Sequence, residues 1–289
     1  GITLRCADPR SVGYPRHERD IADAQRVADA LGIPHETLDV SDIFTRTVIE
    51  PFVAAYSRGE TPNVCANCNR MLKFPQLITA ARAIGAEKMA TGHYARIIHR
   101  TDTPPSLHMG VDPARDQSYF LALLTAGQLA EIELPVGTHY KENLREFARR
   151  LDLPVAHKPD SQDICFIPDS DYARFIKENF PTSLRPGEIR DTHGNLLGEH
   201  EGIQLYTIGQ RRGIGAFGAR KYVVRIEPET NTVFIGDDEE MLQREVRLEQ
   251  VNVLAPLPPL DTRLTARLRS TSPPVPCRLV NAQPDAATL

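Results

Sequence analysis

What most constrains this chain is an alternation near its start: short β-prone runs take turns with amphipathic helical stretches. Ile2, Thr3 and Leu4 form the first β-prone run. Residues 17–31 then put Ile21, Ala24, Val27, Ala28 and Leu31 on one helical face, with charges opposite. Gly32 stands where a helix end favours a left-handed residue. Residues 33–40 (IPHETLDV) predict the next strand. Helices are predicted over about 42–57 and 70–84, the second followed by Gly85. Residues 88–91 then lead into Gly92, His93 and Tyr94. A strand–helix rhythm at this spacing predicts an α/β fold with a parallel sheet and helices on both faces.

The pattern changes after about residue 150, where prolines 154, 159, 168, 181 and 186 punctuate the chain. One short helix is expected over 170–179, and β structure from about 187. The runs 222–226 (YVVRI) and 232–236 (TVFIG) flank Glu229, Thr230 and Asn231, which is hairpin chemistry. A last strand is expected over 264–268. Three domains follow: 1–170, 171–245 and a partial C-terminal β-barrel over 246–289. With 34 basic and 38 acidic side chains the net charge is −4, so RNA binding has to use local patches. Arg211 with Arg212, Arg220 with Lys221, and Arg263, Arg267 and Arg269 are the candidate clusters. No apolar run nears the roughly 18 residues of a membrane span, and no secretory leader is visible, so a cytoplasmic place is expected. Five cysteines in 289 residues do not make a disulfide scaffold.

Chemistry concentrates in a few segments. Residues 61–69 (TPNVCANCN) place Cys65 and Cys68 at C-x-x-C spacing in an expected loop. Such a pair can share a metal, form a redox disulfide or supply a reactive thiolate. No second C-x-x-C or His pair follows at finger spacing, which argues against structural zinc. Cys165 lies in 158–166 (KPDSQDICF), whose polar neighbours favour a loop thiol, whereas Cys6 and Cys277 read as structural. Residues 90–96 (ATGHYAR) fall at a strand end, where open α/β sheets bind ligands. Residues 116–120 (DQSYF) can read a base edge or cap a helix. Residues 209–213 (GQRRG) form a basic loop suited to a phosphate backbone.

Taken together and in order, these segments resemble the tRNA 2-thiouridylase family through nearly the whole chain. The motifs that carry the resemblance are 61–74, 90–96, 116–121, 158–166 and 198–215. The resemblance implies a Rossmann-like, pyrophosphate-loop-type nucleotide domain, a central tRNA-binding domain and a β-barrel. It implies ATP-dependent sulfur transfer to O2-activated wobble uridine, with ATP and Mg2+ as cofactors and tRNA as partner. By match to the motifs, Cys68 is the nucleophile and Cys165 carries the persulfide. Leu4 and Gly92 contact ATP, and Asn63, Val64 and Cys65 face the target base. His93, Arg115, Asp116, Gln117, Gln210, Arg269 and Ser270 fall at tRNA-contacting positions, Ser270 where the family usually has Tyr. Sulfur would come from a cysteine desulfurase, a sulfur-relay protein or sulfide.

Two departures set further expectations. The family's S-G-G-x-D-S loop, which holds ATP phosphates on backbone N–H groups, has no counterpart here, so the chain reads as truncated at both ends. A catalytically inert tRNA-binding remnant and another ATP-dependent pyrophosphate-loop enzyme are the alternatives. Val64 and Cys65 replace the family's frequent Pro-Asp and create the C-x-x-C. Cys65, Cys68 and Cys165 can therefore be ligands of a [4Fe–4S] cluster with one open iron, the alternatives being a plain persulfide route through Cys68 and Cys165 and a spare loop thiol at Cys65.

Overall fold

The computed structural model describes residues 1–6, 14–158, 164–167, 169, 171–215, 220–282 and 286–288. The middle of the 158–166 motif, residues 159–163, and Pro168 lie outside the described residues. The chain divides into two compact units. The first comprises residues 1–44, 65–160 and 245–289, the second 45–64 and 161–244. These units cut across the three consecutive domains expected from sequence: 45–64 groups with the central region, and 245–289 with the nucleotide-type region.

In the first unit, strand β1 (Ile2–Arg5) is followed by helix α1 (Tyr14–Leu31) and strand β2 (Glu36–Asp39). β1 and β2 pair in parallel, Leu4 opposite Leu38, as the alternation predicts. α2 (Ser41–Phe44) continues through a π-helical turn (Thr45–Ile49) into α3 (Glu50–Ser57). After a short gap α4 (Val64–Cys68) continues through a second π turn (Asn69–Lys73) into α5 (Phe74–Ala83). Each π turn stands directly before a helix with proline in its first two positions, Pro51 and Pro75. Proline has no N–H for the carbonyl four residues back, and a wider turn is one way for the chain to stay helical across it.

β3 (Met89–Ala90) pairs in parallel with β6 (Ile132–Glu133), and between them lies a hairpin of β4 (Ala95–Arg100) and β5 (Thr103–Met109) that the periodicity did not announce. The parallel strands described in this unit occur as two separate pairs, not as one continuous sheet. Helices α6 (Ser118–Leu121) and α7 (Ala126–Ala130) follow, α7 closed by a Thr125–Gln128 capping box. α8 (Lys141–Arg150) comes next. The core is built from one face of α5 (Phe74, Ile78, Ala81) against Met89, Ala95, Leu121, Leu124, Leu129 and Ile132.

The second unit begins its later part with α9 (Tyr172–Asn179). Strands β7 (Gly187–Asp191), β8 (Leu196–His200), β9 (Tyr222–Glu227) and β10 (Thr232–Gly236) form a sheet in the order β8-β7-β10-β9. The expected hairpin is β9–β10, antiparallel, and every residue of β10 is buried. α3 supplies this unit with Phe52 and Tyr56, whose rings meet Phe166, Phe175 and Tyr172. In the C-terminal stretch, β11 (Arg247–Glu249), β14 (Asn281–Ala282) and β15 (Ala286–Thr288) make one small antiparallel sheet. β12 (Arg263–Ala266) and β13 (Val275–Arg278) make another.

Candidate active site and tRNA-facing surfaces

The C-x-x-C segment is not the loop that its Pro and Asn neighbours predict. Asn63 precedes α4, and Val64, Cys65 and Cys68 are on it. Cys68 is buried, Val64 is buried, and Asn63 and Cys65 are half-buried. The helical run is held at two points. The buried Asn69 side-chain amide donates to the Phe120 carbonyl at 3.0 Å. The Phe74 ring lies 5.5 Å from the His93 ring.

His93 follows Gly92 directly at the end of β3. Its Nδ1 shares a 2.8 Å hydrogen bond with the Thr91 hydroxyl. Burial, and then the nearby Lys73 ammonium, lower its pKa to about 4. The imidazole is thus neutral at pH 7. Gly92 is exposed, and a Cβ built there meets nothing within 4 Å. Packing inside the protein therefore does not demand glycine at that strand end. Leu4 sits mid-strand, its backbone engaged with β2 on one side.

The next loop is locked from within. Gln117 brackets Tyr94: its N–H donates to the Tyr94 carbonyl at 2.8 Å, and its Oε1 accepts from the Tyr94 N–H at 2.9 Å. The Asp116 carboxylate is fully buried and accepts from Gly110 N–H, Ser118 N–H, the Ser118 hydroxyl and Arg267. Asp116 and Gln117 thus shape the loop, and Arg115 is the exposed residue beside them. Arg269 and Ser270 are exposed in the C-terminal stretch. Of the expected basic clusters, Arg267 is engaged by Asp116 and Lys221 by Asp237 at 3.2 Å. Arg211, Arg212, Arg220, Arg263 and Arg269 remain at the surface. Lys158 bonds Asp20 and Asp23 of α1, both at 2.5 Å.

Among the described residues no group of three or more His, Cys, Asp or Glu side chains is placed to hold a metal ion. Cys65 and Cys68 come from one helix in the first unit, whereas Cys165 belongs to the second.

Sequence models of two families match the chain. One described as "tRNA methyl transferase HUP domain" matches residues 1–169, and one described as "tRNA methyl transferase PRC-barrel domain" matches 173–237. A tRNA-specific 2-thiouridylase MnmA of Rhodospirillum centenum is 45% identical over 90% of this chain and 69% of its own length. That of Methylorubrum extorquens is 46% identical over 96% of this chain and 74% of its own. The chain belongs to the tRNA-specific 2-thiouridylase family. A further thiouridylase, from Rickettsia africae, is 46% identical over 95% of this chain and 77% of its own. The family is that of the motif resemblance, and its two domain types match the Rossmann-like region and the small β unit. No helix among the described residues is long and apolar enough to cross a membrane.

Sequence reasoning missed several residues that shape these thiouridylase segments. Phe74 and Lys73 set the environment of His93. Gly137 lies so close to β4 that a Cβ there would meet the Ala95 carbonyl oxygen at 1.7 Å. Tyr172 reaches the 207–210 loop through its hydroxyl. The motifs contain or adjoin Phe74 and Lys73, but only tertiary contact reveals what they do.

Proposed function

We propose that this chain thiolates a tRNA uridine at position 2, using ATP, in the cytoplasm. The observation that supports this most is the joint between α4 and the strand-end loop. The Phe74–His93 contact ties the thiol-bearing helical run to a strand end with an open glycine, and the Asn69–Phe120 hydrogen bond anchors the same run on α6. A nucleotide and a sulfur nucleophile can thus be served from one unit. Mg2+ would arrive on the ATP phosphates. The descriptions of the matching family models speak of methyl transfer, but the thiols Cys68 and Cys165 in the family motifs favour sulfur chemistry.

Uridine O2 attacks the α-phosphorus of ATP, expelling pyrophosphate and making the oxygen a good leaving group. The terminal sulfur of a persulfide on Cys165 attacks C2, and AMP departs. The Cys68 thiolate attacks the Cys165 sulfur, so the sulfur–sulfur electron pair stays with the base as 2-thiouridine. A Cys68–Cys165 disulfide remains and is reduced by a cellular dithiol. A cysteine desulfurase or relay protein then recharges Cys165. Burial of Cys68 keeps bulk water from the exchange.

The test combines the full chain with ATP, a tRNA transcript, a persulfide donor and a dithiol. Thiolated uridine should appear with equal AMP and pyrophosphate. Cys68→Ser and Cys165→Ser should each lower turnover at least about a hundredfold. AMP production without thiolated uridine would indicate a different pyrophosphate-loop reaction. Binding of tRNA with neither product would indicate a non-catalytic remnant.

A further inference from the structure

We infer that Tyr172 is a positioning residue that sets the 207–213 loop in the shape that receives the tRNA backbone; this rests on the tRNA reading above. Tyr172 opens α9, and its ring stacks on Tyr56 of α3, centroids 4.7 Å apart. Its hydroxyl reaches three groups at once: the Leu205 carbonyl at 3.1 Å, the Thr207 hydroxyl at 3.1 Å and Gln210 Oε1 at 3.2 Å. A phenol has one proton, so it donates to Leu205 or Gln210 while the Thr207 hydroxyl can donate to it. Burial pushes its pKa up to about 12, so the donor stays protonated at any working pH.

The network continues through Gln210. Its Oε1 also accepts from the Thr207 N–H at 3.0 Å, and its Nε2 donates to the Arg212 carbonyl at 2.9 Å. The side chain at a tRNA-contacting family position is thus an internal staple. The groups it presents outward are Arg211 and Arg212, both exposed, beside exposed Ile208. Gly209 and Gly213 bound the turn at φ +87° and +74°, a region that side-chain-bearing residues rarely adopt. A loop with left-handed glycines at both ends has many alternative shapes. The Tyr172 hydroxyl, held by the Tyr56 stack, selects one of them and removes an ordering cost that binding would otherwise bear.

The test uses Tyr172→Phe in the full chain, with tRNA transcript as the probe. Phe keeps the ring stack and deletes only the hydroxyl. The expected result is tRNA affinity about tenfold weaker and KM for tRNA raised in step. kcat at saturating tRNA should stay within about twofold, and the melting temperature should change little. Thr207→Val should act in the same direction, and Tyr172→Phe combined with Gln210→Ala should cost less than the sum of the two. Unchanged tRNA affinity in Tyr172→Phe and Thr207→Val, or strict additivity, overturns the inference. If Tyr172→Phe fails to fold, the Thr207→Val and Gln210→Ala pair decides by the same criteria. A wild-type chain that binds tRNA no better than an unrelated hairpin overturns the tRNA reading itself.

Discussion

His93 is a histidine that does not behave as a cation. Phe74 covers its ring, Thr91 holds Nδ1, and burial with the Lys73 charge lowers the pKa to about 4. To any ligand it offers a neutral hydrogen-bonding ring, with the Lys73 ammonium as the nearby positive charge. The sign of the pH effect follows from linkage. The unfolded chain takes up a proton near the ordinary histidine value of 6.5, the folded chain only near 4. Stability from this group is full above about 6.5 and is lost as pH falls toward 4, by at most about 3 kcal/mol. Melting curves from pH 4 to 7.5 should show that slope, and His93→Gln should flatten it. Cys65 gives a second residue-scale outcome: on the persulfide route its thiol has no step to perform, so Cys65→Ala should keep thiolation within about threefold, and the unsubstituted chain should bind no iron after anaerobic reconstitution. A four-iron signal in the unsubstituted chain, lost together with activity in Cys65→Ala, would favour the cluster route instead. The motif named His93 and Cys65 readily; it was silent on their surroundings, because these come from residues on other elements.

At the scale of elements, the helical stretches and the β9–β10 hairpin were legible because each carries its own period or turn signal. The start of the thiol helix was not. Pro62, Asn63 and Asn67 read as loop chemistry, yet the chain is helical from Val64, and the π turn at Asn69–Lys73 lets it run on past Pro75. Local preference there yields to tertiary hold, since Asn69, Leu72 and Phe74 are all buried. The β4–β5 hairpin escaped notice because its strands contain Pro104 and Pro105 and do not alternate cleanly. Its position depends on one close approach: the turn Pro135–Thr138 presses Gly137 onto the Ala95 carbonyl. Gly137→Ala should therefore destabilise the chain by about 2 kcal/mol or more, since backbone must move to admit the methyl group. Urea unfolding checks this, and a midpoint equal to wild type would show that the turn relaxes freely.

Across the whole molecule, the charge of −4 leaves tRNA attraction to local patches. The structure narrows these, because Asp116 and Asp237 occupy Arg267 and Lys221. Arg211 and Arg212 are the exposed pair on the loop held by Tyr172. Replacing both by alanine should reduce the slope of log affinity against log salt by about 1.5, whatever the tRNA sequence. An unchanged slope in a salt titration would assign the phosphate contacts elsewhere.

Sequence order and spatial order part company at 45–64, and this has a consequence for how the chain is made. The segment leaves the ribosome well ahead of Phe166, Tyr172 and Phe175, the rings that meet its Phe52 and Tyr56. The rest of its unit starts only at residue 161, roughly a hundred residues later. At a synthesis rate of about 5–20 residues per second, the delay is about 5 to 20 seconds. The first unit waits longer still, because its last strands lie beyond residue 244. The second unit has all of its residues only once Arg244 is made, and the first only after the strands beyond it; the nascent aromatic helix stays open to chaperones and to misassembly throughout the first interval.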